Sequence, residues 1–184
     1  SNEKSDATPS GTLRERAGVL GSSVNSQPVY VGAPPFKKYY GATKTRGASN
    51  YAAHVEAQKD RAPVLYVGGN DGMLHGFLTK TVKEPESDDD IAAGTELFAF
   101  MPSAVMTENL RKYATDHDYQ HCYFVDGEIT VAEVFVSGAW KTVLVGTLGR
   151  GGKSVFALNV TDPFDVSLLW EKTVSDIPAL GNTL

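Results

Sequence analysis

Pro63-Val64-Leu65-Tyr66-Val67-Gly68-Gly69-Asn70-Asp71-Gly72-Met73-Leu74-His75-Gly76-Phe77 sets two apolar, β-branched or aromatic runs on either side of Asn-Asp-Gly. Asp-Gly between strand-like runs is the strongest short-range signal for a tight antiparallel hairpin, because both residues tolerate positive φ. A second copy lies downstream. Lys141-Thr142-Val143-Leu144-Val145-Gly146-Thr147-Leu148-Gly149 is followed by Gly151-Gly152-Lys153-Ser154-Val155-Phe156-Ala157-Leu158-Asn159-Val160. Each copy has an apolar strand ending in Val-Gly, a glycine turn and a second strand carrying Phe. The chain contains a repeat.

Working outward from the hairpins, strands are expected at about 24–31, 63–68, 73–79 and 96–101, and again at 129–136, 140–146, 154–160 and 167–172. Gly68 and Gly146 lie 78 positions apart, whereas Asn25 and Asp126, which lead into the two sets, lie 101 apart. A long insertion at 33–62 absorbs the difference. Four-stranded antiparallel repeats of this kind are the signature of propeller blades. The expected class is all-β: two four-stranded antiparallel blades of an incomplete β-propeller, with a short helical insertion.

The division read along the chain is a polar N-terminal tail at 1–20, a first blade at 21–101, a helical insertion at 102–120, a second blade at 121–175 and the start of a third at 176–184. Leu13–Leu20 has the composition of a helical turn, and Tyr51–Ala57 that of a short helix inside the 33–62 insertion. Residues 102–113 carry apolar positions at near-helical spacing, with Ser103 placed to cap them. Lys80–Gly94 reads as a polar connection. Propellers close with roughly four to eight blades, so 184 residues with two insertions are expected to be a fragment.

Composition narrows the partners. A formal net charge of −5 argues against general affinity for nucleic acid or anionic membrane. No apolar run approaches the roughly 18–20 residues of a membrane span, and the start lacks the apolar core of a signal peptide. Cys122 is the single cysteine, which leaves no intrachain disulfide and no cysteine-based zinc site.

Several ordered motifs together resemble a known family. Leu20-Gly21-Ser22-Ser23-Val24-Asn25-Ser26-Gln27-Pro28-Val29-Tyr30-Val31-Gly32, Val64 through His75, Tyr123-Phe124-Val125-Asp126-Gly127, and Ala139 through Gly146 with Phe156 through Pro163 are similar to the C-terminal propeller of PilY/PilC-type type IV pilus proteins. The resemblance runs from about 13 to 184 and implies a propeller like those of quinoprotein dehydrogenases. It implies a secreted protein at the cell surface, pilus tip or outer membrane of a Gram-negative bacterium, acting in pilus assembly, adhesion, twitching motility and virulence. The implied partners are minor or major pilins, a host or abiotic surface, and the rest of the same propeller. It also implies calcium, but the family's aspartate-rich loop has no counterpart in these residues.

The chemical constellations favour binding over catalysis. Gly146–Ser154 tempts a phosphate-loop reading, yet Thr147 stands where that pattern needs glycine, and a strand rather than a helix follows Lys153-Ser154. Arg150 and Lys153 remain available to an acidic partner. Asp88-Asp89-Asp90 reads as a solvated loop, because consecutive side chains diverge and no glycine-centred acidic loop follows. Asp71 and Asp126 are explained by turn chemistry. His54, His75, His117 and His121 lack metalloprotease spacing, and His75 reads as a hydrogen-bonded structural residue. Cys122 is expected to be a small buried strand residue, and Trp140 and Trp170 to pack blades. No catalytic or metal-binding residue is assigned. Phe36, Lys37, Lys38, Tyr39 and Tyr40 form a basic-aromatic loop and are the candidate partner-binding residues, since long loops on rigid scaffolds carry recognition. The competing reading is a quinoprotein-like enzyme binding pyrroloquinoline quinone with calcium; it needs convergent polar groups on the central axis, and no such set is visible in two blades.

Overall fold

The computed structural model describes residues 13, 14, 16, 18–36 and 47–181. Two four-stranded antiparallel sheets dominate. The first joins β1 (Val29–Val31), β2 (Val64–Gly68), β3 (Leu74–Leu78) and β6 (Glu96–Phe100) in that order. The second joins β7 (Ile129–Val136), β8 (Ala139–Thr147), β9 (Ser154–Asn159) and β10 (Ser167–Thr173) as a simple meander. Between β3 and β6 a two-stranded ribbon, β4 (Val82–Lys83) with β5 (Asp90–Ile91), rises from the stretch expected to be an irregular connection. The fold is all-β with blade-like sheets, as the repeat implies.

The organising hairpin forms with a looser turn than expected. Five residues, Gly69–Met73, connect β2 to β3, closed by the Gly69 N–H donating to the Met73 carbonyl at 2.8 Å. Of these only Gly72 has positive φ. The two-residue turn is found instead between β7 and β8, where Ser137 (φ 53°) and Gly138 (φ 84°) both adopt the left-handed region that such a turn demands.

Strand periodicity builds the core. Val64, Tyr66 and Gly68 alternate inward along β2, with Val64 and Tyr66 each 1% exposed. One buried apolar cluster runs through both sheets, joining Val31, Tyr66 and Leu74 to Ile129, Leu144 and Phe156. Phe100 meets Phe156 across the joint at 5.1 Å between ring centroids. The first strands, β1 and β7, lie side by side. Each blade therefore buries one face against its neighbour.

Strand β1 is shorter than the run expected at 24–31, because Asn25 and Ser26 are diverted into side-chain bonding. The Ser26 hydroxyl accepts the Gly68 N–H at 3.0 Å. The helical insertion also divides: a 3-10 turn at Ser103–Val105 precedes helix α2 (Glu108–Thr115), and α2 is preceded by Thr107 rather than capped by Ser103. Nothing helical forms among the described residues of 13–20. There Arg14 donates its backbone N–H to Ala114 O at 2.8 Å and its Nε–H to Tyr113 O at 2.7 Å, so the segment is strapped onto α2. The residues expected to begin a third blade, 176–181, form turns, and 182–184 lie outside the described residues.

Candidate functional site

The 33–62 insertion leaves the first blade after β1 and packs on the second. It contains helix α1 (Ala48–Ala57), which starts three residues earlier than the short helix read from sequence. Tyr51, Val55 and Trp140 form a small core of their own, with Phe135 packed on it. Tyr51 is 1% exposed and meets the Trp140 ring edge-on at 4.7 Å. Aromatic pairs in this geometry add specificity to the burial.

Both ends of the candidate recognition loop are fixed by this cluster. The Tyr51 hydroxyl donates to Pro35 O at 2.9 Å, and the Trp140 indole N–H donates to Gly47 O at 2.9 Å. Gly47 has no substitute: its φ is +77°, and a Cβ there would sit 2.3 Å from the Phe135 ring. Phe36 is 55% exposed at the outgoing stem. Lys37, Lys38, Tyr39 and Tyr40 lie outside the described residues. The scaffold holds the two stems at Pro35 and Gly47.

Polar groups lock the same joint. Glu133 of β7 is buried, and its Oε2 contacts His54 Nε2 at 2.8 Å while the Thr142 hydroxyl donates to both of its oxygens at 3.0 Å. Arg61 follows α1 and donates to Thr142 Oγ1 at 2.5 Å and, through Nε, to Gly32 O at 2.9 Å. Burial lowers the Arg61 pKa from its ordinary value despite the pull of Glu133. A guanidinium still holds its proton at any ordinary pH. One network thus ties the start of the insertion at Gly32, its helix and its end at Arg61 to the second blade.

A second network holds the first blade's turn. Asp71 Oδ2 accepts the Gly21 N–H at 2.6 Å, and both Asp71 oxygens lie 3.1 Å from His75 Nε2, whose Nδ1 meets Glu96 Oε1 at 2.5 Å. Burial disfavours the charged forms of Asp71 and His75. Their mutual hydrogen bond, with Gly21 on one side and Glu96 on the other, outweighs it, lowering Asp71 and raising His75. Asn70 Oδ1 accepts the Phe124 N–H at 3.0 Å, and Asp126 accepts both the backbone and side-chain N–H groups of Asn25 at 3.1 and 2.6 Å. Asp71 and Asp126 are thus long-range staples, 50 and 101 positions from their partners, and the turn-only reading of them is corrected.

The remaining sequence candidates fall elsewhere. The glycine stretch 146–154 ends β8, makes a 3-10 turn at Gly149–Gly151 and enters β9, so no helix follows Lys153. Arg150 lies over the Tyr123 ring at 5.6 Å. Asp88 and Asp89 are exposed, and Asp90 pairs with Lys83 at 3.1 Å. Among the described residues no three His, Cys, Asp or Glu side chains are arranged to hold a metal ion, so the calcium implied by the resemblance finds no ligand set there. Cys122 is partly exposed and outside any strand, because its backbone N–H is taken by the Tyr119 hydroxyl at 2.8 Å. Trp140 packs the joint, but Trp170 is 41% exposed on the outermost strand.

Glu133 and His54 were not singled out from sequence as a pair. An acidic residue amid the apolar run Ile129–Val136 is the signal that a buried partner exists, though the sequence does not say which.

Two sheets with aligned first strands, a shared core and turns stapled to the next leading segment define part of a β-propeller. The family model described as the PilY1 beta-propeller domain matches residues 20–183. The chain belongs to the PilY1 β-propeller family. It is 53% identical over 175 residues to a type IV pilus biogenesis factor PilY1 homolog of Xylella fastidiosa (strain Temecula1), covering 95% of this chain and 13% of that protein. It is 47% identical over 175 residues to type IV pilus biogenesis factor PilY1 of Pseudomonas aeruginosa (strain PAO1), covering 94% of this chain and 14% of that one. The crystal structure of the Pseudomonas aeruginosa PilY1 C-terminal domain aligns with a TM-score of 0.61 and 43% identity, over 83% of this chain and 26% of that chain. The chain spans 13–14% of the length of these curated relatives. No helix among the described residues is long and apolar enough to cross a membrane.

Proposed function

We propose that these two blades serve type IV pilus biogenesis and surface attachment by protein-surface recognition, without covalent chemistry, and that the loop between Phe36 and Gly47 makes the contact. The observation that carries this reading is the anchoring of both loop stems, at Pro35 and Gly47, by Tyr51 and Trp140. Fixing the stems lowers the ordering cost of binding while leaving the intervening side chains to the partner. Family membership gives the setting: relatives sharing about half of its residues are named pilus biogenesis factors.

The partners proposed are minor or major pilins, a host or abiotic surface, and the remaining blades of the same propeller. The location is the secreted, cell-surface side, at the pilus tip or outer membrane, and calcium belongs to another part of the propeller. Lys37 and Lys38 supply charge, and Phe36, Tyr39 and Tyr40 supply rigid aromatic area, the combination enriched at binding hot spots.

The test is complementation. A strain deleted for the gene is restored with the intact protein or with one in which 37–46 is replaced by a short Gly-Ser linker, keeping α1 and its anchors. Loss of surface pili and twitching with the linker variant, despite normal secretion, supports the reading. Full restoration by the linker variant removes the loop from function.

A further inference from the structure

A cavity of about 610 Å³ lies away from the 33–62 insertion, between the Asp71–His75–Glu96 cluster, helix α2 and the stretch holding Arg16, Val19 and Leu20. Met73, Met101, Leu110 and Tyr113 line it, together with the half-exposed Val19 and Leu20. Its size is that of a small-molecule site and leaves room for a side chain together with the backbone that carries it. Thioether side chains adapt to flexible aliphatic groups better than branched ones do.

Nearly every polar group around it is consumed within the protein. Asp71 is held by the Gly21 and Met73 N–H groups and by His75, and both His75 nitrogens are engaged. Arg16 donates to the Tyr113 hydroxyl and lies over its ring at 4.7 Å. Glu96 differs. His75 meets only its Oε1, Oε2 has no hydrogen-bond partner among the described residues, and the side chain is 40% exposed. The cavity therefore offers one carboxylate oxygen beside an aliphatic and thioether lining. The complement of that surface is a straight aliphatic stem ending in a cation, which buries its methylenes and keeps its charge at the rim.

We propose that this cavity receives a primary alkylammonium group, presented as a lysine side chain of a partner protein segment, with Glu96 as its counter-ion. The ammonium fits better than a guanidinium because a single free oxygen cannot satisfy a planar fork. This inference is independent of the loop reading, since it uses none of the residues between Gly32 and Arg61.

The test is saturation-transfer NMR on the intact protein with three probes: N-acetyl-lysine methylamide, n-hexylammonium and n-hexanol. The wild type is compared with Glu96→Gln, which keeps an acceptor for His75 but removes the charge, and with Leu20→Trp at the exposed rim. Both amines are expected to bind and to weaken at least five-fold in Glu96→Gln, with hexanol unchanged by that substitution and all three reduced by Leu20→Trp. Binding of hexylammonium without the lysine amide overturns the protein source and assigns a free amine. Amine binding that ignores Glu96→Gln, or no amine binding by a wild type that unfolds normally, overturns the site.

Discussion

Trp140 in the second blade donates its indole N–H to the carbonyl of Gly47, which precedes α1 in an insertion that leaves the first blade, 93 positions away in sequence. Replacing Trp140 with Phe keeps most of the packing against Tyr51 and Phe135 and removes one of the two donors to that carbonyl, which keeps the Asn50 N–H at 2.9 Å, at an expected cost of about 0.5–1.5 kcal/mol. Trp140→Ala also opens a cavity and costs about 3–5 kcal/mol. Urea unfolding measures both, and limited proteolysis checks the local effect: cleavage within 37–46 should accelerate in Trp140→Phe before global unfolding does.

Glu133 is the buried acceptor of the joint, and removing it leaves the His54 ring and the Thr142 hydroxyl without their shared partner. Glu133→Ala should destabilise the fold by about 3–5 kcal/mol, as expected for breaking one side of a buried pair. A cycle with His54→Ala separates the pair from the rest. A coupling above about 1 kcal/mol in denaturant unfolding supports direct communication between the helix and the blade, and strict additivity counts against it.

His75 and Asp71 give the fold opposite pH limbs. The His75 pKa is raised above its ordinary 6.5, so its contribution is complete below that pH and is lost as pH rises through the folded value. Asp71 is lowered from 3.8, so its contribution is complete above that pH and is lost as pH falls through the folded value. Both are fully present between pH 3.8 and 6.5. His75→Gln should flatten the decline on the alkaline side, read from urea midpoints between about pH 5 and 9; an unchanged slope would separate His75 from that decline.

Gly151 packs against the segment leading into its own blade, where an added Cβ would lie 1.7 Å from Phe124 O. Gly151→Ala should cost about 1–3 kcal/mol or more, the range for overpacking against backbone. Gly18, with nothing within 4 Å of its Cβ position, should accept Ala almost without effect. Parallel thermal unfolding of the two variants checks the contrast.

The fold was legible where local pattern decides it. Val-Gly runs, glycine turns and alternating strands placed seven of the eight blade strands to within one or two residues, because pleat period and turn chemistry act over short range. The eighth, expected from residue 24, begins at Val29 because Asn25 and Ser26 bond to Asp126 and to Gly68. Long-range pairs such as Gly21 with Asp71 or His54 with Glu133 leave no local trace, so Asp71 and Asp126 read as turn residues. Trp170 looked equivalent to Trp140, but only Trp140 has an inserted helix laid over it. The insertion was legible by its composition; that Trp140 of the other blade fixes Gly47 within it was not.

The reach of the insertion across the joint also sets an order of events. A ribosome delivers the chain from its N-terminus, so Pro35 and Gly47 emerge long before Trp140 and Glu133 do. Closing contacts of such large sequence separation is slow, because the intervening chain must first be confined. The first blade supplies the Tyr51–Pro35 and Arg61–Gly32 bonds, but not the Trp140, Phe135 and Glu133 contacts that seat α1. The Gly47 stem thus reports on folding downstream: the indole N–H that holds it is supplied only once the second blade has formed.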